Sequence, residues 1–139
     1  MGDNALEREP IGDVERRERA KNFLSGYQLC MDMLHLRRYE RRRSQSFGEL
    51  CDCDELLQCN EVFWRARMYE IRTLIDGMRN GREKSILYYH YICGESIDRA
   101  ADLLDISRRT GYRLHQKGLL TVSFLMDRSP MRRTDKLPL

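Results

Sequence analysis

The sequence predicts an all-α fold: a long N-terminal antiparallel helical hairpin followed by a three-helix unit that contains a helix-turn-helix. Three observations carry this expectation. From Asp13 to about Arg43 there is no proline, and Ala20, Phe23, Leu24, Tyr27, Cys30, Met31 and Leu34 recur at the three-and-four spacing of one helix face. Trp64, Met68, Ile71, Ile75 and Met78 make a second, heptad-like, coiled-coil seam that needs a partner helix. The stretch Gly94 to Leu119, GESIDRAADLLDISRRTGYRLHQKGL, holds two serines, Ser96 and Ser107, spaced as the N-caps of two short helices separated by a turn. Strand-like alternation and internal repeats are missing from the sequence.

In chain order, residues 1–12 are polar, with a proline and two glycines, and read as a flexible arm. Residues 13–79 make the hairpin. Its first helix ends in RRYERRR, which puts cations at the negative end of the helix dipole. Ser44 to Cys59 is expected to be a connecting loop with a helical turn over Glu49 to Leu57, and Asn60 to cap the second helix. Asn80 and Gly81, which tolerate left-handed backbone, are expected to end that helix. Residues 80–127 then form the three-helix unit. Its first helix runs from Arg82 to Cys93 with Ile86, Leu87, Tyr89 and Tyr91 facing the core, and Gly94 closes it. With Ala101 in the fifth position of the two-helix motif, the packing positions fall on Ala100, Leu104, Ile106, Gly111 and Leu114. The last helix extends to about Asp127, and residues 128–139, with two prolines, read as a flexible tail.

Composition narrows the function. Of the 139 residues 41% are hydrophobic and 34% charged, and the formal net charge is only +3, so what matters is where the charges sit. Arg108, Arg109, Arg113 and Lys117 lie within eleven residues that hold no acid, and five arginines lie between Arg37 and Arg43. No window approaches the roughly 18 apolar residues of a membrane span, and no basic start leads into an apolar run, so no membrane partner and a cytoplasmic location are expected. Five cysteines, an odd number, then favour reduced thiols. Cys51, Cys53 and Cys59 have no fourth ligand at zinc spacing, and His35, His90 and His115 lack matching partners, so no metal is expected. Phosphate-cradling glycine loops, nucleophile elbows and paired acids are not found, so neither an enzyme nor a cofactor is expected.

The sharper candidate is the second helix of the motif. A helix that enters the major groove N-terminus first presents its first two turns to base edges, which here means Arg108, Arg109, Tyr112, Arg113 and Gln116. Arginine suits guanine O6 and N7, and glutamine suits adenine. Ser107, Thr110 and Lys117 are better placed for phosphates. Arg41, Arg42 and Arg43 are secondary candidates for flanking phosphates, against a purely dipole-serving role. Tyr89 and Tyr91 read as core residues rather than as base-stacking platforms. The Trp64 to Met78 seam can pair within the chain or between two chains, which leaves a homodimer open.

The stretch GREKSILYYHYICGESIDRAADLLDISRRTGYRLHQKGL resembles sigma-factor region 4 and, more closely, small phage late-transcription regulators of the ArpU/RinA type and their relatives. The resemblance is carried by the start at Arg82, Tyr91-Ile92 before Gly94, Ala101, Ile106-Ser107 and Arg113-Leu114-His115 with Lys117 and Leu119. It implies double-stranded DNA as partner and transcriptional control of phage or prophage genes, in a bacterial or phage-infected cell. Two other functions fit the same motif: an adaptor that docks RNA polymerase, as sigma region 4 does, and a small-terminase-like DNA-packaging subunit. Gly111 stands where relatives usually have valine, at a helix cost of about 1 kcal/mol relative to alanine, so a less rigid second helix is expected. Asp105 stands where glycine is common, and aspartate tolerates left-handed backbone better than most residues.

Overall fold

The computed structural model describes residues 12–46 and 54–128, with side chains for 12–43 and 60–128. Both terminal segments, from 1–11 and from 129 onward, together with Cys51 and Cys53, lie outside the described residues, and so does the Cys59 side chain. All regular structure among the described residues is helical: α1 (Asp13–Ser46), α2 (Asp54–Asp76), α3 (Gly81–Leu87), a π-helical turn (Tyr88–Ile92), α4 (Ile97–Leu103) and α5 (Arg108–Arg128).

Helix α1 packs on α2 along the predicted seam. Phe23, Leu24 and Tyr27 share a buried cluster with Ile71, Ile75 and Met78, Cys30 and Leu34 pack around Trp64, and Arg41 pairs with Glu61 at 2.7 Å. Rising numbers on α1 meet falling numbers on α2, so the two helices run in opposite directions. The same cluster takes in Leu87, Tyr91 and Ile92 from the third helix and Leu119, Val122 and Met126 from α5. One apolar core thus joins the first and the last of the described helices. A smaller cluster of Ile86, Ile97, Ala100 and Leu114 lies between α3, α4 and α5, with Tyr89, Leu104 and Ile106 packed on it.

Three expectations about boundaries are corrected. Helix α1 continues through Ser46 and α2 begins at Asp54, so the connection is much shorter than Ser44 to Cys59. Helix α2 already begins at Asp54, and no proline or glycine stands between there and Trp64, so Asn60 sits inside α2 rather than at its cap. Asn80 does not end α2 in left-handed backbone. It is extended (φ −79°, ψ 112°), and its side chain accepts from the backbone N–H groups of Arg82 and Glu83, capping α3.

A further correction concerns the helix predicted from Arg82 to Cys93, whose second half widens into a π turn. Cys93 N–H donates to the Tyr88 carbonyl at 3.1 Å and Glu95 N–H to the Tyr89 carbonyl at 2.9 Å. Carbonyls near the end of a helix lack intrahelical donors. Here Gln28 Nε2, 64 residues earlier on α1, donates to the Ile92 oxygen at 2.9 Å and lies 3.3 Å from that of Tyr91. Gly94, at φ +78°, then reverses the chain beside the Gln28 amide, as its place ahead of the Ser96 cap predicts.

Candidate nucleic-acid interface

Two serine caps frame the α4–turn–α5 unit. Ser96 Oγ accepts from Arg99 N–H and Ser107 Oγ from Thr110 N–H, each at 3.1 Å. Between them, Asp105 takes up the left-handed backbone (φ 57°) that its short polar side chain tolerates. The predicted packing positions face inward: Ala100, Gly111 and Leu114 are buried, and Leu104 and Ile106 half-buried. Gly111 is explained by close approach. A Cβ on it would lie 2.9 Å from the Cβ of Ala101, so α4 and α5 cross where only a glycine fits without displacement.

The opposite face of α5 is open. Arg108, Arg109, Tyr112, Arg113, Gln116 and Lys117 are all exposed, as is Ser107, and Thr110 is half-buried. Arg109, Arg113 and Gln116 follow one another at the spacing of a single helix stripe. Two cations, Arg108 and Arg109, open the helix at its positive end with no acid in the first turn, an arrangement that disfavours the helix by about 0.3–1 kcal/mol per charge. A local rule broken at an exposed position is where a functional demand is expected.

The candidates fall into three groups. Ser107 and Thr110 are joined to each other, the Ser107 hydroxyl donating to Thr110 Oγ1 at 2.8 Å, so both serve the cap. Arg108 is turned back on α4, its Nη1 3.8 Å from Asp98 Oδ2 and its Nη2 3.6 Å from Asp102 Oδ2. The Asp98 charge, together with its carboxylate's capacity to accept from the Tyr112 hydroxyl, also pushes the Tyr112 hydroxyl pKa above its ordinary value. Arg109, Arg113 and Lys117 have no carboxylate at ion-pair distance among the described residues. Asp98 and Asp102 are site residues that the sequence reading missed. Their four-residue spacing on the preceding helix was the available signal, since it places both on one face.

Arg41, Arg42 and Arg43 sit elsewhere. Arg41 is paired with Glu61, while Arg42 and Arg43 are exposed. At about 1.5 Å per residue they lie roughly 20 Å along α1 beyond Gln28, which marks where α1 meets the C-terminal unit. Beside the turn, an open groove of about 720 Å³ is lined by Asn80, Gly81, Arg82 and Ser85 on one side and Leu104, Asp105 and Ile106 on the other.

Behind the open face the packing is polar at one point. His115 is buried, its Nε2 2.8 Å from the Tyr91 hydroxyl, and its ring meets that of His90 edge-on at 5.4 Å. Burial first, then the nearby His90 and Lys21, push the His115 pKa down to about 4, so the ring is neutral at pH 7. Burial, reinforced by the Glu18 charge, pushes the Tyr91 hydroxyl upward. His90 Nδ1 lies 2.6 Å from the Glu95 carbonyl, which only accepts, so that nitrogen carries the proton. Among the described residues no three His, Cys, Asp or Glu side chains gather as a metal site, and no helix is long and apolar enough to cross a membrane.

A family model described as a protein of unknown function, DUF1492, matches residues 40–122, more than half of the chain. The chain belongs to the DUF1492 family. The part matched to DUF1492 begins near the end of α1 and stops within α5, so it contains the basic face, Asp98 and Asp102, but not Gln28. No curated protein and no solved structure matches the chain.

Proposed function

We propose that this DUF1492 protein is a sequence-specific DNA-binding regulator of transcription, acting on phage or prophage genes as its resemblance to the ArpU/RinA type suggests. The helix-turn-helix is α4–turn–α5, with α5 as the recognition helix. The observation that carries this reading is the stripe of exposed Arg109, Arg113 and Gln116. It lies in the first turns of a helix whose other face is locked onto α4, and its two arginines have no carboxylate partner among the described residues. Arginine side chains at that end of a groove-seated helix meet guanine edges, and the phosphates on either side fall to Lys117 and to Arg82 next to the turn.

The test is selection from a random duplex pool by the full chain, followed by sequencing of the bound fraction. Enrichment of a short motif, lost in Arg109→Ala/Arg113→Ala while helix content is kept, is the expected result. Failure to retain any duplex at low salt, together with capture of RNA polymerase, would replace this reading with the adaptor. An enriched site at a phage genome end rather than a promoter would replace it with the packaging subunit.

A further inference from the structure

Two carboxylates stand beside the basic face, and both are engaged with the first arginine of the recognition helix. Asp98 and Asp102 are four residues apart on α4 and approach different terminal nitrogens of Arg108, at 3.8 and 3.6 Å. These separations are within ion-pair range but beyond a direct hydrogen bond, and the Arg108 side chain remains 64% exposed. The guanidinium is therefore aimed and yet free to exchange its partners. The Asp98 charge also acts on Tyr112, one turn further along α5, holding its hydroxyl pKa above the ordinary value, so the acids bear on two of the residues expected to face base edges.

The acids treat the two kinds of DNA acceptor differently. A phosphate that takes Arg108 must bring its negative charge towards Asp98 and Asp102, where like charges repel. A guanine edge offers two acceptors, O6 and N7, to the same fork and carries no net charge. Repulsion of the wrong partner is a standard route to specificity, because discrimination depends on a difference of affinities. We propose that Asp98 and Asp102 are specificity-determining residues, which position Arg108 and bias it away from phosphates and towards neutral base edges. This rests on the DNA-binding reading above.

The test measures binding of the full chain to its selected duplex and to a random-sequence duplex of the same length, across a range of salt. The proteins are wild type, Asp98→Asn/Asp102→Asn, and both again with Arg108→Ala. Asp102→Asn alone serves as a second variant, since Asp102 lies outside the first turn of α4 and does not support its N-terminus. For the double variant the random duplex should bind about tenfold more tightly, with a salt slope steeper by roughly one as Arg108 gains a phosphate. The selected duplex should gain much less, so that the specificity ratio falls. In the Arg108→Ala background the effect should vanish.

Equal gains on both duplexes, or the same gain without Arg108, would show that the acids merely repel polyanions and would overturn the inference while leaving the DNA-binding reading intact. A wild-type protein that binds neither duplex overturns both.

Discussion

The Cβ of Ala101 and the α-carbon of Gly111 lie so close that a methyl group on Gly111 would come within 2.9 Å of Ala101. Alanine favours a helix over glycine by about 1 kcal/mol, yet overpacking of this kind costs about 1–3 kcal/mol. Gly111→Ala should therefore lower stability by about 1 kcal/mol, and Gly111→Val by more. Urea denaturation of Gly111→Ala, Ala101→Gly and the double variant checks this. The expected sign is a favourable coupling of at least about 1 kcal/mol in the double variant, and simple additivity would show that the helices separate at no cost.

Gln28 gives a second prediction. Its amide donates to the last carbonyls of the π turn, so Gln28→Ala should cost about 1 kcal/mol. Gln28→Glu should cost more, because a carboxylate would set its lone pairs against carbonyl oxygens. The order Gln, Ala, Glu in thermal stability at neutral pH is the readout, and Glu equal to Gln would show that this contact contributes nothing.

His115 predicts a pH dependence. Its folded pKa is near 4, below the ordinary 6.5, so the unfolded chain takes up the proton first as pH falls. Its effect is therefore absent above pH 6.5, and stability declines from there towards pH 4, by at most about 1.4 kcal/mol per pH unit. His115→Gln removes this site. Measured in urea, the stability advantage of wild type over that variant should shrink between pH 7 and pH 5. A constant gap would mean that the folded ring is protonated as readily as the unfolded one.

On DNA, Arg113→Ala should lose about 1–3 kcal/mol on the selected site and relax preference at one base position. Lys117→Ala should weaken selected and random duplexes alike and reduce the salt slope by about one. Filter binding on a panel of single-base site variants separates the two patterns. Identical patterns for the two residues would remove Arg113 from base recognition.

The hairpin seam and the two serine caps were legible because they depend on local periodicity and on side chains bonding to nearby backbone. What escaped the sequence depends on partners in another element, or on a choice between two local roles that the same residue fits equally well. The π turn is built from residues that look helical, and its end is held by Gln28. Asn80 is as compatible with ending a helix as with starting one, and only the two N–H groups it accepts decide the matter. Gly111 looked like a weakness of α5 until Ala101 was seen opposite it. The candidate face was readable as a run of cations, but the acids engaged with Arg108 belong to another helix and balance it only once the turn has closed.

Helix α5 is continuous from Arg108 to Arg128, and its buried side runs unbroken through Gly111, Leu114, His115, Gly118, Leu119, Val122 and Met126. Its angular phase is consequently fixed at the root. One residue added or removed near Lys117 would rotate everything before it by about 100° and turn Arg109 and Arg113 away from the face they now share. The length of this helix between its core-bound end and its arginines is thus as constrained as the identity of the arginines themselves.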